Sequence, residues 1–481
     1  MYLGIDLGTS EVKVVLIDEQ GTLIASAGET LSVSRPQPGW SEQQPEDWWA
    51  ATHTAIAKLR EKVPEAFAAT RAIGLSGQMH GAVLLDNRDR VLRPAILWND
   101  IRSAAECTEL TRRTPALHSV AGNLAMPGFT APKLLWVARH EPAIFAATAS
   151  VLLPKDYLRL RMTGEKVSDP CDAAGTLWLD VARRSWSDLL LDASGMRRAQ
   201  MPRLVEGVEP SGYLLPEVAA AWGLGPDVVV AGGAGDCATS AIGIGAVQPG
   251  DGFVSLGTSG VLYTVTAGFQ PNPASAVHAF CHALPNRWSQ MSVMLSAASC
   301  LRWFCRLIGT SEAELLQEVV ALDDAALANA PLFLPYLSGE RTPHNDPHVQ
   351  GSFHQLTHAA DRAALGYAVL EGVAFGMADG LDALRSTGTS MAELSLVGGG
   401  ARSPYWAQLM ADVLGVNIVT HIGSEAGGAL GAARLGWMAA GGREAEVCSK
   451  PPRLADYAPV PQRQQLLQQR LASYRALYRP A

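Results

Sequence analysis

The sequence lacks the cysteine pattern of a disulfide scaffold or a zinc site. Its seven cysteines are odd in number and widely spaced, and no Cys-x-x-Cys occurs. Disulfide frameworks and cysteine-based metal sites need paired, closely spaced thiols. We therefore expect seven reduced thiols and a cytoplasmic protein.

Long apolar runs and dense clusters of positive charge are also missing. The formal net charge is −8, and the basic residues are scattered, so no nucleic-acid footprint is present. No uncharged run is long enough to span a bilayer, and Asp6 interrupts what would have to be the apolar part of an export peptide. We expect small-molecule partners, no nucleic acid and no membrane; a homodimer is left open.

Several catalytic signatures are absent. There is no Gly-Lys pair and hence no P-loop, and no Gly-x-Ser-x-Gly elbow of a serine hydrolase. The histidine groups lack zinc-site spacing, and the second lies among prolines. These groups are His278 with His282, and His344 with His348. Any nucleotide phosphates must be held by another device.

That device is predicted at the start of the chain. Alternating apolar residues at 3–7 and 12–16 predict two strands joined by the turn Gly8-Thr9-Ser10. The glycine lets a ligand approach the backbone, the hydroxyls and N–H groups are donors, and Asp6 adds a carboxylate. Such a tip suits a phosphate with a divalent cation.

The same device recurs about 250 residues later. Leu-Gly-Thr-Ser at 256–259 again lies between apolar runs, which is the spacing of a duplicated domain. Two unrelated glycine turns remain the plain alternative. The turn-rich stretch 248–252 predicts a boundary between domains at 1–248 and 249–481.

Polar groups follow two predicted strands in the first half. The predicted strand at residues 71–76 leads to Met79 and His80. The second predicted strand, in the segment 94–100, ends with Trp98 and Asn99. Strand ends of open α/β sheets bind ligands, and an aromatic wall with polar edges suits a sugar. A structural histidine and an ordinary buried tryptophan remain the alternatives.

Two further turns predict site residues. A strand from Val228 runs into glycines that present Asp236, which can be a reactive carboxylate, a helix N-cap or both. Three glycines at 398–400 precede Ser403, the predicted N-cap of a helix through Leu414, where a base and ribose can lie flat. Ser424 and Glu425 are predicted to open a small-residue helix suited to a hinge.

The motifs resemble the FGGY carbohydrate kinases, within the actin-like ATPase superfamily, over nearly the whole chain. The strings that carry the resemblance are Gly-Ile-Asp-Leu-Gly-Thr-Ser at 4–10, Ser-Gly-Gln-Met-His-Gly at 76–81, Leu-Trp-Asn-Asp at 97–100, the run at 126–136, Pro-Tyr-Leu-Ser-Gly-Glu-Arg-Thr-Pro-His at 335–344 and Gly-Gly-Gly-Ala-Arg-Ser at 398–403. The second and fifth strings are similar to those of the family's xylulose kinases.

This resemblance implies two ribonuclease-H-like α/β domains closing over a cleft, with ketopentose in the first and ATP mainly in the second. It implies Asp236 as the base and Asp6 as the organiser of Mg²⁺. The implied sugar-binding residues are Met79, His80, Trp98, Asn99 and Asp236. The implied ATP-binding residues are Thr9, Ser10, Lys13, Gly257, Thr258, Gly399, Gly400 and Ser403.

Three positions depart from the family pattern. Cys237 follows the predicted base where Asn or Gln is usual, and Gln355 and Glu11 stand where Gly is common. The expected reaction is ATP-dependent phosphorylation of D-xylulose to D-xylulose 5-phosphate. Ribulose, ribitol or glycerol as acceptor, or a non-kinase actin-like ATPase, are the alternatives.

Overall fold

A computed structural model describes residues 1–422 and 427–480. The β-strands are β1 Tyr2–Leu7, β2 Glu11–Ile17, β3 Leu23–Thr30, β4 Glu42–Gln43, β5 Ala72–Gly77, β6 Val83–Leu85, β7 Ala95–Ile96, β8 Ser150–Leu152, β9 Val167–Ser168, β10 Leu179–Asp180, β11 Ser185–Trp186, β12 Arg203–Leu204, β13 Pro210–Tyr213, β14 Val229–Ala231, β15 Ala234–Gly235, β16 Gly252–Leu256, β17 Gly260–Thr266, β18 His278–Cys281, β19 Trp288–Met294, β20 Leu332–Leu334, β21 Ser352–His354, β22 Glu393–Val397, β23 Asn417–His421 and β24 Arg453–Tyr457.

Helices cover the sheets and fill the connections. They are α1 Pro45–Lys62, α2 Pro64–Ala68, α3 Ala104–Arg113, α4 Leu117–Ala121, α5 Thr130–His140, α6 Pro142–Ala147, α7 Pro154–Thr163, α8 Pro170–Ala174, α9 Asp188–Ala193, α10 Pro216–Trp222, α11 Asp236–Gly243, α12 Ala298–Ile308, α13 Glu312–Val320, α14 Asp324–Asn329, α15 Arg362–Arg385, α16 Pro404–Leu414, α17 Gly427–Ala439, α18 Glu444–Val447 and α19 Pro461–Leu477. The predicted start of α17 at Ser424 and Glu425 lies outside the described residues.

The N-terminal lobe is built on a mixed sheet in the order β13-β14-β5-β1-β2-β3, with β15 also beside β5. The predicted hairpin is present, because β1 pairs antiparallel with β2 and places Asp6 opposite Lys13. Strands β1 and β15 both run parallel to β5 and end level with Gly77. Three segments therefore leave the sheet side by side, which is how open α/β sheets build a site.

The C-terminal lobe repeats the same arrangement. Its sheet has the order β18-β19-β17-β16-β22-β23-β24. The hairpin β16–β17 is antiparallel, and β22 runs parallel to β16 with Val397 opposite Ser255. The hairpin tip and the glycines that follow β22 therefore leave this sheet together.

One predicted strand is shorter than expected. Only Ala95 and Ile96 of the segment 94–100 form a strand, and they pair antiparallel with β4 rather than joining the main sheet. The strand predicted from Val228 ends at Ala231 and is followed by the predicted glycine turn, where Gly233 has a φ of 73°. A left-handed residue turns the backbone out of an extended strand.

Helix α17, from the second half of the chain, packs against the sheet of the first half and against α11. Glycines make this possible: a Cβ on Gly4 would lie 2.0 Å from the carbonyl oxygen of Ala429, and one on Gly74 would lie 1.7 Å from that of Ala432. The guanidinium of Arg434 donates to the carbonyl oxygen of Ile242 at 2.8 Å, which ties α17 to the end of α11. Backbones touch here without intervening side chains.

Helix α15 forms the centre of the C-terminal core. Within the described ranges it is the one helix long and apolar enough to cross a membrane, and 89% of its apolar window is buried inside the protein. Tyr367 of this helix is buried, and Tyr474 and Trp406 from other helices are buried in the same core. The apolar side chains of α15 are therefore buried against the rest of the C-terminal core.

The α11–α17 contact generates a stability prediction. A Cβ on Gly431 would lie 1.7 Å from the carbonyl oxygen of Thr239, so Gly431→Ala forces the helices apart. We expect a loss of about 2 kcal/mol, seen as a lower midpoint of thermal unfolding. Gly268→Ala is the matched control, because a Cβ there meets nothing within 4 Å. Equal midpoints for the two variants would contradict the packing described here.

Candidate active site

Asp6 and Asp236 lie at the common end of β1, β5 and β15. The hydroxyl of Ser76 on β5 donates to Oδ1 of Asp6 at 2.7 Å and lies 2.7 Å from the hydroxyl of Thr239 on α11. Burial raises the pKa of Asp6, and the hydrogen bond from Ser76 opposes that rise. One chain of hydrogen bonds thus joins the first carboxylate to the helix that carries the second.

Asp236 is the first residue of α11, and its predicted alternative as the N-cap is wrong. The N-cap is Gly235, and Oδ1 of Asp236 accepts from the backbone N–H of Cys237 at 2.7 Å. Burial, followed by the charge of Asp6, raises the pKa of Asp236 to about 6. A carboxyl group with this pKa is ionised near neutral pH and accepts a proton more readily than an ordinary aspartate.

Met79 lies directly against the backbone that presents Asp236. A Cβ on Gly235 would be 2.7 Å from the sulfur of Met79, so the thioether covers the residue before the carboxylate. Met79 follows β5 and is buried. Two of the predicted sugar-binding residues are therefore brought together.

His80 has a defined tautomer and a strained backbone. Its φ is 70°, and its ring Nδ1 lies 2.7 Å from the carbonyl oxygen of Gly175, which can only accept. Nδ1 therefore carries the proton, and burial lowers the pKa of His80 to about 3, so the ring is neutral. Nε2 is left as a hydrogen-bond acceptor. Thr130 and Lys133 donate to the carbonyl oxygen of His80 and hold the strained backbone in place.

Trp98 joins the predicted sugar wall to the first hairpin. Its indole is 45% exposed, and Nε1 donates to the hydroxyl of Thr9 at 3.0 Å. That hydroxyl in turn donates to Oε1 of Gln78 at 3.0 Å. The side-chain oxygen of Asn99 is buried and has no hydrogen-bond partner among the residues that the structure describes, so it is an unsatisfied acceptor.

Gln78 belongs to the string at 76–81 but was not among the predicted site residues, and the structure places it beside them. Its Nε2 donates to Oε1 of Gln43, whose own amide donates to the carbonyl oxygen of Thr9. Two glutamine side chains thus fix the tip of the first hairpin, where Ser10 is exposed. The only signal was the position of Gln78 beside Met79, because its partners come from distant segments.

The second hairpin is fixed by the start of α12. The carbonyl oxygen of Thr258 accepts from the N–H of Ala297 and the hydroxyl of Ser299, at 3.0 and 2.6 Å. The carbonyl oxygen of Gly257 accepts from the N–H of Ala298 at 2.9 Å. The side chain and N–H of Thr258 take part in none of these contacts.

A cavity of about 380 Å³ lies between this helix and the triple-glycine turn. Its lining includes Ala298, Leu301, Arg302, Glu312, Ala313, Leu316, Gly399, Gly400, Arg402, Ser403 and Trp406. Ser403 is the N-cap of α16 as predicted, with its hydroxyl accepting from the N–H of Trp406. Arg402 was not predicted, because an arginine inside a glycine turn has no distinctive pattern.

The glycines of this turn have different roles. A Cβ on Gly400 would lie 2.6 Å from Cβ of Leu256, so this glycine allows the turn to pack on β16. A Cβ on Gly399 meets nothing within 4 Å. Gly399 is therefore bare on the side of the cavity rather than against the protein.

The three unusual positions have distinct surroundings. Burial and the neighbouring Asp236 raise the pKa of the Cys237 thiol well above its usual value, so it stays protonated. The side chain of Glu11 lies over Gly28 on β3, where a Cβ would meet its carboxylate oxygen at 1.9 Å. Gln355 adopts a φ of 60°, a conformation that favours glycine.

Family models match both halves of the chain. The N-terminal domain of the FGGY family of carbohydrate kinases matches residues 1–243, and its C-terminal domain matches residues 252–440. The chain belongs to the FGGY family of carbohydrate kinases. Its two-lobed α/β architecture is the actin-like ATPase fold of that family.

Among relatives of this FGGY kinase, a xylulose kinase of Escherichia coli K12 is 53% identical, with 99% of this chain and 98% of the relative covered. A xylulose kinase of Bacillus subtilis is 38% identical, covering 93% and 90%. The crystal structure of a xyloylose kinase from Brucella ovis is 52% identical with a TM-score of 0.96, covering 99% and 98%. A gluconate kinase from Lactobacillus acidophilus is 25% identical with a TM-score of 0.93, covering 99% and 96%.

The open face of Gly399 generates a prediction about the cavity. Gly399→Ala places a methyl group in the cavity without a clash inside the protein, so we expect unchanged thermal unfolding. If the cavity receives the nucleoside, the KM for ATP should rise about tenfold, because a bound base or ribose is displaced. Steady-state kinetics at saturating sugar measures this, with Gly268→Ala as the control. An unchanged KM for ATP would place the nucleoside elsewhere.

Proposed function

We propose that this FGGY kinase transfers the terminal phosphoryl group of ATP to the C5 hydroxyl of D-xylulose, giving D-xylulose 5-phosphate. The observation that carries the proposal is that the partly buried carboxylates of Asp6 and Asp236 lie at the common end of β1, β5 and β15, beside Met79. The xylulose kinases that match over nearly the full chain support the choice of sugar.

Asp236 acts as the base in this proposal. Phosphoryl transfer requires alignment and charge neutralisation more than covalent help. A carboxylate that accepts the hydroxyl proton as the oxygen attacks is sufficient, and the raised pKa of Asp236 suits this role.

Asp6 would hold Mg²⁺. Two carboxylates near one another repel, and after burial the charge of Asp6 is the second cause that raises the pKa of Asp236. A hard divalent cation with oxygen ligands fits such a pair. When bound, Mg²⁺ supplies neutralisation of the phosphate charge. Lys13, opposite Asp6 on β2, adds a positive group close to the same position.

The two hairpins would hold the phosphates of ATP. Thr9 and Ser10 form one tip, and Gly257 and Thr258 form the other. The nucleoside would occupy the cavity beside Gly399, Gly400 and Ser403. This division assigns sugar binding to residues 1–248 and ATP binding mainly to residues 249–481. Closure of the lobes would exclude water, which competes with the sugar as an acceptor.

The sugar would lie between Met79, His80, Trp98, Asn99 and Asp236. Neutral His80 offers an acceptor at Nε2, and the side-chain oxygen of Asn99 is an acceptor without a partner among the described residues. Trp98 is 45% exposed, and its indole would provide the apolar face for the sugar. We further propose a cytoplasmic location, which the seven free cysteines support.

The pKa of Asp236 generates a pH prediction. The base must be unprotonated, so kcat/KM for the sugar should fall as the pH drops below about 6, tenfold per pH unit. In Asp236→Asn the fall of kcat/KM at low pH should disappear, and kcat should be at least about a hundredfold lower. Calorimetry should still detect sugar binding. Near-native turnover of Asp236→Asn would remove Asp236 from the role of base.

The choice of sugar is tested by ADP release across a panel. We expect turnover that depends on D-xylulose, with much lower kcat/KM for ribulose, ribitol, glycerol and gluconate. Faster turnover with another member of the panel would reassign the substrate within the family. Turnover that no sugar stimulates would indicate an ATPase rather than a sugar kinase.

A further inference from the structure

Arg341 is a charged residue that the proposed mechanism leaves unused. It lies in the segment 335–344, whose sequence string was noted above, between β20 and β21. Its guanidinium is enclosed by protein yet partly accessible, and within the described ranges no carboxylate oxygen lies within 4.0 Å of it. Buried cations are normally paired, so a partly buried guanidinium without an ion pair among the described residues is a candidate for binding a ligand.

The backbone around Arg341 is held to the end of β19. Oε1 of Glu340 accepts from the N–H groups of Leu295 and Arg341, at 2.9 and 2.7 Å. Thr342 and Val293 exchange hydrogen bonds, one from each backbone N–H, both at 3.0 Å. Arg341 therefore projects from an anchored backbone rather than from a loose loop.

His278 orients the guanidinium. Both protons of the Asn123 amide go to carbonyl oxygens, those of Ala121 and Ala279, so its Oδ1 is the acceptor for Nδ1 of His278 at 3.0 Å. Nδ1 of His278 thus carries the proton, and Nε2 accepts from Nη1 of Arg341 at 3.5 Å. Asn123 belongs to the N-terminal lobe and His278 to the C-terminal lobe, so this contact also joins the lobes.

Arg341 is connected to the proposed sugar site through aromatic rings. The ring of Phe129 lies 5.6 Å from that of His278 and 4.6 Å from that of His80, between the two. Phe280 contacts both histidine rings as well, at 5.6 and 6.2 Å. The positive charge of Arg341 contributes to the lowered pKa values of both histidines, which agrees with a position near each.

The hydrogen-bonding chemistry divides the site into two ends. Asp236 and Asp6 lie at the end where a hydroxyl is phosphorylated. His80 lies at the other end, and its Nε2 can only accept. In a 2-ketopentose reacting at C5, that other end carries the carbonyl oxygen, which also can only accept. A carbonyl there needs a donor, and His80 cannot supply it.

We propose that Arg341 is a substrate-binding residue that donates hydrogen bonds to the carbonyl end of the ketopentose and favours ketopentoses over the corresponding pentitols. The inference rests on the proposed sugar kinase function. Each guanidinium N–H is a donor, so the carbonyl gains a charge-assisted bond, whereas a hydroxyl in its place is the weaker acceptor for a cation. The C-terminal lobe thereby contributes directly to sugar selection.

The test compares Arg341→Met, Arg341→Lys and the surface control Arg306→Met on α12. For Arg341→Met we expect the KM for D-xylulose to rise about 10- to 100-fold, since a charged hydrogen bond is lost. The KM for ATP should stay within twofold of wild type, and the thermal unfolding midpoint should stay within a few degrees. The ratio of kcat/KM for D-xylulose to that for xylitol should fall at least about fivefold. Arg341→Lys should recover part of the loss, and Arg306→Met should match wild type.

Three results would overturn the inference. An unchanged KM for D-xylulose in Arg341→Met would show that the residue does not contact the sugar. A rise confined to the KM for ATP would assign it to the phosphates. A large fall in unfolding midpoint with an unchanged xylulose-to-xylitol ratio would make it structural. Failure of the proposed function itself is distinguishable, because then wild type also fails to use D-xylulose.

Discussion

The structure depends on the close contact of α17 with α11, β1 and β5. Glycine at positions 4, 74, 243 and 431 removes the side chains that would otherwise separate these elements. Because Gly243 lies near Gly427 and Gly4 near Ala429, the second half of the chain packs under the sheet of the first. A Cβ on Gly428 would come within 2.8 Å of Oδ2 of Asp6, so the same contact also shapes the carboxylate site.

Burial then sets the chemistry of the site. It raises the pKa of Asp6 and Asp236 and lowers that of His80, so the pocket combines two carboxylates with a neutral imidazole. These groups differ in what they can do: Asp236 accepts a proton, Asp6 suits a cation, and His80 only accepts a hydrogen bond. Charges that oppose the carboxylates come from Lys13 on the same sheet and, at the far end, from Arg341 of the other lobe.

Much of the fold could be predicted from local patterns. The hairpins at residues 8–10 and 257–259 and the N-cap at Ser403 follow from alternation, glycine turns and capping, which act over a few residues. The glycine turn before Asp236 was predicted from its glycines, but the pairing of Ala234 and Gly235 with β5 after that turn was not, because it depends on the order of strands in the sheet. The short strand β7 pairs outside the main sheet, and its apolar run did not indicate this.

The candidate site was predictable where a motif concentrates functional residues in one segment. Asp6, Thr9, Met79, His80 and Asp236 all lie at strand ends that the sequence marks. Gln43, Gln78, Asn123 and Arg341 were not predicted as site residues, because the contacts that place them near the site involve partners from 34 to 156 residues away. Such contacts follow from sheet order and lobe packing, which one sequence does not reveal.

The central claim is that one phosphoryl group lies between the two hairpin tips, opposite Asp236. A crystal structure with a non-hydrolysable ATP analogue, Mg²⁺ and D-xylulose tests it most directly. We expect the C5 oxygen about 3 Å from the carboxylate of Asp236, the cation on Asp6, and the terminal phosphate between Thr9 and Thr258. A complex in which another side chain contacts the C5 oxygen, or in which the phosphates avoid either tip, would contradict it.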